Sequence, residues 1–402
     1  MSKISKIRFK GYSEEVRRKL LKKLVKLDGR IGFRGYTKQD IVERCNGVLA
    51  YSPINILNNK IVNGKNDTYI SQAKYEESPE IMVKKNNILF VKTGSTLGKS
   101  SIVRELTEPA TINPQLIVIK TIHVDSDYLA VYLLTDSIQK QIFQAKIGGA
   151  VPTLTETEIG KFVISLPSLA EQSAIGSLFR TLDELLSSYK DNLANYQSLK
   201  TTMLSKMFPK VGQKVPEIRL DGFEGGWEEK EFSKLVKRVT QSSDSNSLPK
   251  VEFEDIISGQ GRLNKDITNK FDNRKGIHFE SGYILYGKLR PYLNNWLLPK
   301  FEGVALGDFW VFDPNGNDSN FIYYLVQSNR YQKVANDTSG TKMPRSDWKS
   351  VSSTIFAIPQ TIAEQQAIGA YFSNLDNLIN SYQEKISQLE TLKKKLLQDM
   401  FI

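Results

Sequence analysis

Gly94-Ser95-Thr96-Leu97-Gly98-Lys99-Ser100 is the stretch of this chain that comes nearest to a reactive motif. Glycines, a lysine and a hydroxyl are what a phosphate-binding loop assembles. That loop needs four residues between its glycines, and here there are three. No magnesium-binding strand follows, and the equivalent stretch further on, Lys288-Leu289-Arg290-Pro291-Tyr292, has lost the pattern. Nucleotide hydrolysis is therefore not expected. The loop still gathers Thr93, Ser95, Thr96, Lys99 and Ser100, an inventory of hydroxyls, an ammonium and backbone amides. It suits contact with phosphates or base edges, and equally an ordinary polar turn.

Other chemistry is absent. No nucleophile elbow or dinucleotide fingerprint occurs. A single Cys45 excludes a disulfide framework, and with only His123 and His278 beside it a zinc site is not expected. Glu14-Glu15 and Glu228-Glu229 read as charged surface. The chain reads as a binder, not a catalyst. Its net charge of +11 favours an anionic partner, nucleic acid first. No run of 18 apolar residues and no signal-peptide pattern occurs, so a cytoplasmic protein that makes no use of a membrane is expected.

The elements that position such loops are duplicated. Ala170-Glu171-Gln172 leading into Ala174-Ile175-Gly176 returns as Ala363-Glu364-Gln365 leading into Ala367-Ile368-Gly369. In the same frame Leu182-Asp183 matches Leu375-Asp376, Leu199-Lys200 matches Leu392-Lys393, and Met207-Phe208 matches Met400-Phe401. Both copies predict long helices. Ile175, Leu182, Tyr189, Tyr196 and Met203 recur every seventh residue, as do Ile368, Leu375, Tyr382, Leu389 and Leu396. Leu178, Leu185, Leu199, Tyr371, Leu378 and Leu392 stand three positions after such residues, which gives a coiled-coil seam. Asn192 and Lys385 interrupt it at the same place, with Leu193 and Ile386 next. Each helix is expected to pair with the other copy.

The duplication reaches past the helices. Ile7-Arg8 with Gly11-Tyr12 is echoed by Ile218-Arg219 with Gly222-Phe223, and Lys23-Leu24-Val25-Lys26 by Lys234-Leu235-Val236-Lys237. Ile88-Leu89-Phe90 parallels Ile284-Leu285-Tyr286, and Gly148 to Pro152 parallels Gly340 to Pro344. Each half is expected to open with an Ile-Arg strand and a charged amphipathic helix, in the first half capped by Ser13 with an apolar stripe of Val16, Leu20, Leu21, Leu24 and Val25. Short strands are expected at 81–83, 88–91, 116–119, 283–286 and 304–312, and late helices near 128–144 and 321–334. The fold class is α+β, in two modules joined by two long helices. The expected domains are 1–166, a helix at 167–208, a linker at 209–215, 216–358, and a helix at 359–402. Pro209, Gly212 and Pro216 mark the linker.

Taken together these residues resemble one family, the specificity subunits of type I restriction–modification systems. The resemblance covers nearly the whole chain. It rests on the helix openings Pro167 to Gly176 and Pro359 to Gly369, the Met-Phe helix ends, the Gly-x-x-x-Pro turns and the Ile-Arg-x-x-Gly-aromatic starts. It implies that each module is a target recognition domain reading one half of a split, asymmetric DNA sequence. It implies two long helices packed antiparallel as a rigid spacer, in a pseudo-two-fold arrangement. Two modification (methyltransferase) subunits would dock on this scaffold, joined by restriction subunits. S-adenosylmethionine, ATP and magnesium would belong to those partners and no cofactor to this chain, which would serve methylation and defence against foreign DNA. Changing the helix length by one turn would move the domains about 5.4 Å. The alternative is a coiled-coil DNA-binding regulator or adaptor with no methyltransferase partner.

Expected contacts lie in polar loops at matching places. In the first module these are Lys92, Thr93, Ser95, Thr96 and Lys99, with Thr153 and Thr155 after the Gly-Pro turn. In the second they are Lys288, Arg290, Tyr292, Lys342, Arg345 and Ser346. Lys342 and Arg345 head this set, since they flank Pro344 in a loop the duplication retains. Arg and Lys suit guanine O6 and N7, whereas hydroxyls serve base edges or phosphates.

Overall fold

A computed structural model describes residues 7–32, 35–267, 272–337 and 343–401. The chain divides into two compact units, Met1–Ser188 with Ile386–Ile402, and Tyr189–Lys385. The division cuts both long helices, Leu169–Lys206 and Ile362–Met400, so each unit holds parts of both.

In the first unit an antiparallel sheet runs in the order Val25–Gly29, Leu116–Thr121, Ile88–Val91, Ser100–Ile102. In the second the same order is Lys237–Val239, Phe309–Asp313, Ile284–Gly287, Trp296–Leu297. Both units add a second sheet containing one parallel pair, Val48–Tyr51 with Ala110–Ile112 and Lys250–Val251 with Gly303–Ala305. There the halves part company. Thr68–Ile70 adds to Val48–Tyr51, on one side of that pair, whereas Gly276–Phe279 adds to Gly303–Ala305, on the other. The first sheet is shared frame; the second is where the modules diverge.

The duplicated Glu-Gln-x-x-x-Gly is structural. Glu171 accepts two hydrogen bonds from the Arg8 guanidinium (2.7 and 2.6 Å), and Glu364 accepts two from Arg219 (2.7 and 2.8 Å) and a third from Trp227 Nε1 (3.0 Å). Both carboxylates are buried, and their hydrogen bonds hold the two guanidinium pKa values above the usual arginine value against the opposing effect of burial. Gln172 accepts from the Asp125 backbone N–H, and Gln365 from that of Asp318. These aspartates cap the helices Ser126–Tyr132 and Ser319–Leu325. Gly176 and Gly369 let those helix starts approach: a Cβ would stand 2.6 Å from Asp127 Cβ and 2.7 Å from Asn320 Cβ respectively.

Each helix ends by filling a core. Phe401 packs against Tyr128, Tyr132 and Phe179 in the first unit. Phe208 packs against Phe321 and Phe372 in the second. The helices are antiparallel inside each unit. Asp183 pairs with Lys393 in the first; Lys200 pairs with Asp376 at 2.7 Å and the Tyr196 ring lies tilted 5.3 Å from that of Tyr382 in the second.

Several expectations are corrected. No helix forms at 13–26: Arg17–Leu20 is a strand paired with Val163–Leu166, Leu21–Lys23 is a 3-10 turn and Val25–Gly29 a strand. The buried spacing of Leu21, Leu24 and Val25 fits a strand–turn–strand as well as a helix, and the distant partner strand decides. The second half follows suit with Glu228–Glu231, a one-turn helix at Phe232–Leu235 and Lys237–Val239. Ile7-Arg8 and Ile218-Arg219 are not strands but the segments that carry the clamping arginines. Ile81 ends a 3-10 turn instead of opening a strand, and 304–312 is two strands parted at Gly307, whose φ is +86°. The late helices are each two, Ser126–Tyr132 with Asp136–Ala145 and Ser319–Leu325 with Asn329–Ala335.

The seam is also displaced. Phe179, Leu186, Phe372, Ile379 and Ile386 are buried, each four residues after Ile175, Leu182, Ile368, Leu375 or Tyr382. Of the residues three after, Leu185, Leu199, Leu378 and Leu392 are exposed, whereas Leu178 and Tyr371 are half-buried against the two cores. Ile175, Leu182, Ile368 and Leu375 are buried, and Tyr189, Tyr196, Tyr382 and Leu389 are half-buried. In this register Leu193 and Ile386 are seam positions, so Asn192 and Lys385 interrupt nothing.

Candidate nucleic-acid interface

The same two backbone hydrogen bonds build the candidate loop in both units. In the first, Gly94 N–H donates to Pro152 O (3.0 Å) and Leu154 N–H to Lys92 O (2.8 Å). In the second, Arg290 N–H donates to Pro344 O (2.7 Å) and Ser346 N–H to Lys288 O (2.8 Å). Each pair ties the loop after a central sheet strand to the turn that ends in proline. The two stretches chosen from sequence in each half are thus brought together, Thr93 standing opposite Thr153 and Leu289 opposite Arg345.

The loops differ in what they present. The 92–99 loop is a turn between the strands Ile88–Val91 and Ser100–Ile102, with Gly94 at φ +109° and Gly98 at φ +88°. Its glycines serve this turn, and a strand follows where a phosphate-binding loop needs a helix N-terminus. Ser95 and Lys99 are exposed, and Thr93, Thr96 and Thr153 half-buried. In the second unit Pro291–Leu293 forms a 3-10 turn flanked by two left-handed residues, Arg290 (φ 49°, ψ 61°) and Asn294 (φ 55°, ψ 43°). Arg290 is exposed, Tyr292 is 57% exposed and Leu293 38%. Leu293 and Asn294 carry no sequence signal beyond their place beside Pro291, and they join the set only through this geometry.

Other members are occupied. Lys92 Nζ lies 2.7 Å from Glu156 Oε1. Burial pushes the Glu156 carboxyl up, but the Lys92 hydrogen bond and a backbone N–H outweigh it and leave the pKa lowered. Thr155 accepts from Glu158 N–H as the N-cap of the helix Glu156–Gly160. Ser346 is buried and donates to Ala335 O (2.7 Å). It cannot reach a ligand without breaking the core and leaves the set. Lys288 and Arg345 share Asp308, at 3.6 and 3.0 Å. Lys342 lies outside the described residues.

Among the described residues no cluster of three or more His, Cys, Asp or Glu side chains is placed to hold a metal, and no helix is long and apolar enough to cross a membrane.

Known proteins resemble this chain. The family described as "Type I restriction modification DNA specificity domain" matches residues 34–195 and 226–391. The chain is 23% identical over 344 residues to the type I restriction enzyme MjaVIII specificity subunit of Methanocaldococcus jannaschii, covering 79% of each. The crystal structure of a type I restriction-modification system S subunit from M. genitalium superposes with a TM-score of 0.62 at 13% identity, over 100% of this chain and 99% of that one. A chain from a study of complex assembly and conformational transition of the type I R-M system gives 0.52 at 15% identity, over 97% and 98%. Two copies of one domain model, on two units built from one frame, make the chain a member of the type I restriction–modification specificity subunit family.

Proposed function

We propose that this chain reads a split, asymmetric DNA sequence, one half-site per unit, and holds two methyltransferase subunits and, in the full complex, restriction subunits at that site. As a specificity subunit it is non-catalytic. S-adenosylmethionine, ATP and magnesium belong to the partners, and the assembly works in the cytoplasm. The observation that carries this reading is the pair of loops held by matching backbone hydrogen bonds and bearing unlike side chains. A common frame with two different chemical faces is what reading two unlike half-sites requires, because phosphate contacts position and base contacts specify. Ser95 and Lys99 serve the first half-site; Arg290 and Tyr292 serve the second, with Arg345 joining them when DNA displaces Asp308.

Base-resolution mapping of adenine methylation tests this, in a host carrying the cognate methyltransferase with and without this gene. One split, asymmetric motif that appears only with the gene is the expected result. An active methyltransferase bound to this chain with no new motif returns the chain to a regulator or adaptor.

A further inference from the structure

The first unit carries an apolar tip beside its candidate loop. Phe143, on the last turn of the helix Asp136–Ala145, is 69% exposed; Ile147 and Val151, on the following turn, are 60% and 61% exposed. The tip is held firmly. Ile147 and Thr153 exchange two backbone hydrogen bonds of 2.9 Å, and Gly94 bonds Pro152. Beneath it Gly98 sits so close to the helix that a Cβ would stand 3.0 Å from Ile142 Cδ1. Exposed apolar side chains on an ordered surface mark a contact site more often than chance.

Cations surround it. Lys146 Nζ lies 4.2 Å above the Phe143 ring centroid, and Lys99 is exposed on the neighbouring loop. A shallow depression of about 310 Å³ beside Phe143 holds Lys140, Gln139 and Gln144, with Asp136 as its carboxylate. The second half differs there: by sequence Asn336 stands for Phe143 and Ser339 for Ile147, while Met343, 49% exposed, stands for Val151. A partner that docks alike on both halves would need the patch twice. A patch whose aromatic member differs between the halves, next to a loop that varies, and flanked by ammonium groups fits the polyanion whose sequence differs between half-sites.

We propose that Phe143, Ile147 and Val151 contact thymine 5-methyl groups in the major groove of the half-site read by the first unit, with Lys146 and Lys99 on flanking phosphates. This rests on the reading given above. Lys146 covers one face of the Phe143 ring, so intercalation between base pairs, which needs both faces, is disfavoured. The free face and edge remain for a methyl group, the one apolar feature in the major groove.

The test uses the chain assembled with its methyltransferase and duplexes carrying the mapped motif, with binding read by fluorescence anisotropy. Each thymine of that half-site, on either strand, is replaced by deoxyuridine, which lacks only the methyl. At least one replacement should weaken wild-type binding about fourfold, the value of one buried methyl-sized group. That loss should vanish in Phe143→Ala, while the salt dependence of Phe143→Ala stays as in the wild type. Lys146→Gln should lower the salt slope by about one. The proposal is overturned if no replacement matters, if the half-site contains no thymine, or if Phe143→Ala keeps the deoxyuridine effect. A Phe143→Ala chain that loses its methyltransferase but keeps its DNA preference also overturns it and assigns the patch to protein docking. Equal affinity of the wild-type complex for motif and non-motif DNA removes the underlying reading as well. Phe143 is exposed, so an unchanged melting temperature of Phe143→Ala excludes misfolding as the cause.

Discussion

Arg290 holds φ 49°, ψ 61° at the position where the first unit has Gly94 at φ +109°. Left-handed backbone costs a residue with a Cβ about 1–2 kcal/mol, and retaining it at an exposed loop position argues that the side chain is needed. Arg290→Gly should therefore stabilise the second unit by about 1 kcal/mol in urea unfolding, while weakening specific DNA binding by about 1–3 kcal/mol, the value of a bidentate guanine contact. Unchanged binding would make Arg290 a bystander. At Glu364 the residue scale is about stability. Arg219→Ala leaves a buried carboxylate with Trp227 as its remaining side-chain partner and should cost about 3–5 kcal/mol, read as a lowered urea midpoint. The Lys92–Glu156 tie gives a pH dependence. A carboxyl held below its ordinary value stabilises the fold above about pH 4.5 and loses that contribution as the pH falls further. The melting-temperature gap between wild type and Glu156→Gln should narrow below that pH.

Among elements, the two long helices show how a periodic pattern can be right in period and wrong in register. Residues spaced seven apart are legible as Ile175, Leu182, Tyr189 and Tyr196, but whether position three or four after them faces the partner depends on where the partner lies. Phe179 and Phe372 win because each faces the core of its own unit, and Leu186 and Ile379 continue the same buried line. The closing aromatics follow the same logic. Phe401→Ala and Phe208→Ala should each cost about 3–5 kcal/mol, the first in the unit containing Tyr128 and the second in the unit containing Phe321. Hydrogen exchange localised to the matching unit checks this, and exchange spread evenly over both units would contradict it. Gly369→Ala places a methyl 2.7 Å from Asn320 Cβ and should cost about 1–3 kcal/mol in thermal unfolding.

For the whole molecule, each unit is completed by chain from the other half of the sequence. Ile386–Ile402 belongs with the first unit, and Tyr189–Lys206 with the second. A protease site placed in 209–215 should therefore leave the two fragments associated after cleavage, co-eluting in size-exclusion chromatography at physiological salt. Fragments that separate freely would mean that the helix ends contribute little. The net charge of +11 is a property of this same scale. It draws DNA to the molecule without choosing a sequence, and on the proposed reading the choice falls to the loops that differ between units.

The sequence by itself determined the duplication, the two long helices, the family and the places of both candidate loops, because these rest on spacings that repeat within one chain. The Gly148 to Pro152 turn and the 92–99 loop are legible for that reason. Tertiary structure decided the rest. Ser346 looks like Thr153 or Ser95 in sequence, and only packing against Ala335 shows that its hydroxyl is buried. Arg17 to Val25 carries a helical stripe, yet pairing with Val163–Leu166, far along the chain, makes it a strand and a turn. Strand order in the second sheet, the register of the helix seam and the exposure of Phe143 likewise depend on neighbours distant in sequence. Local pattern limits what a segment can do, and burial against a distant partner selects among the alternatives.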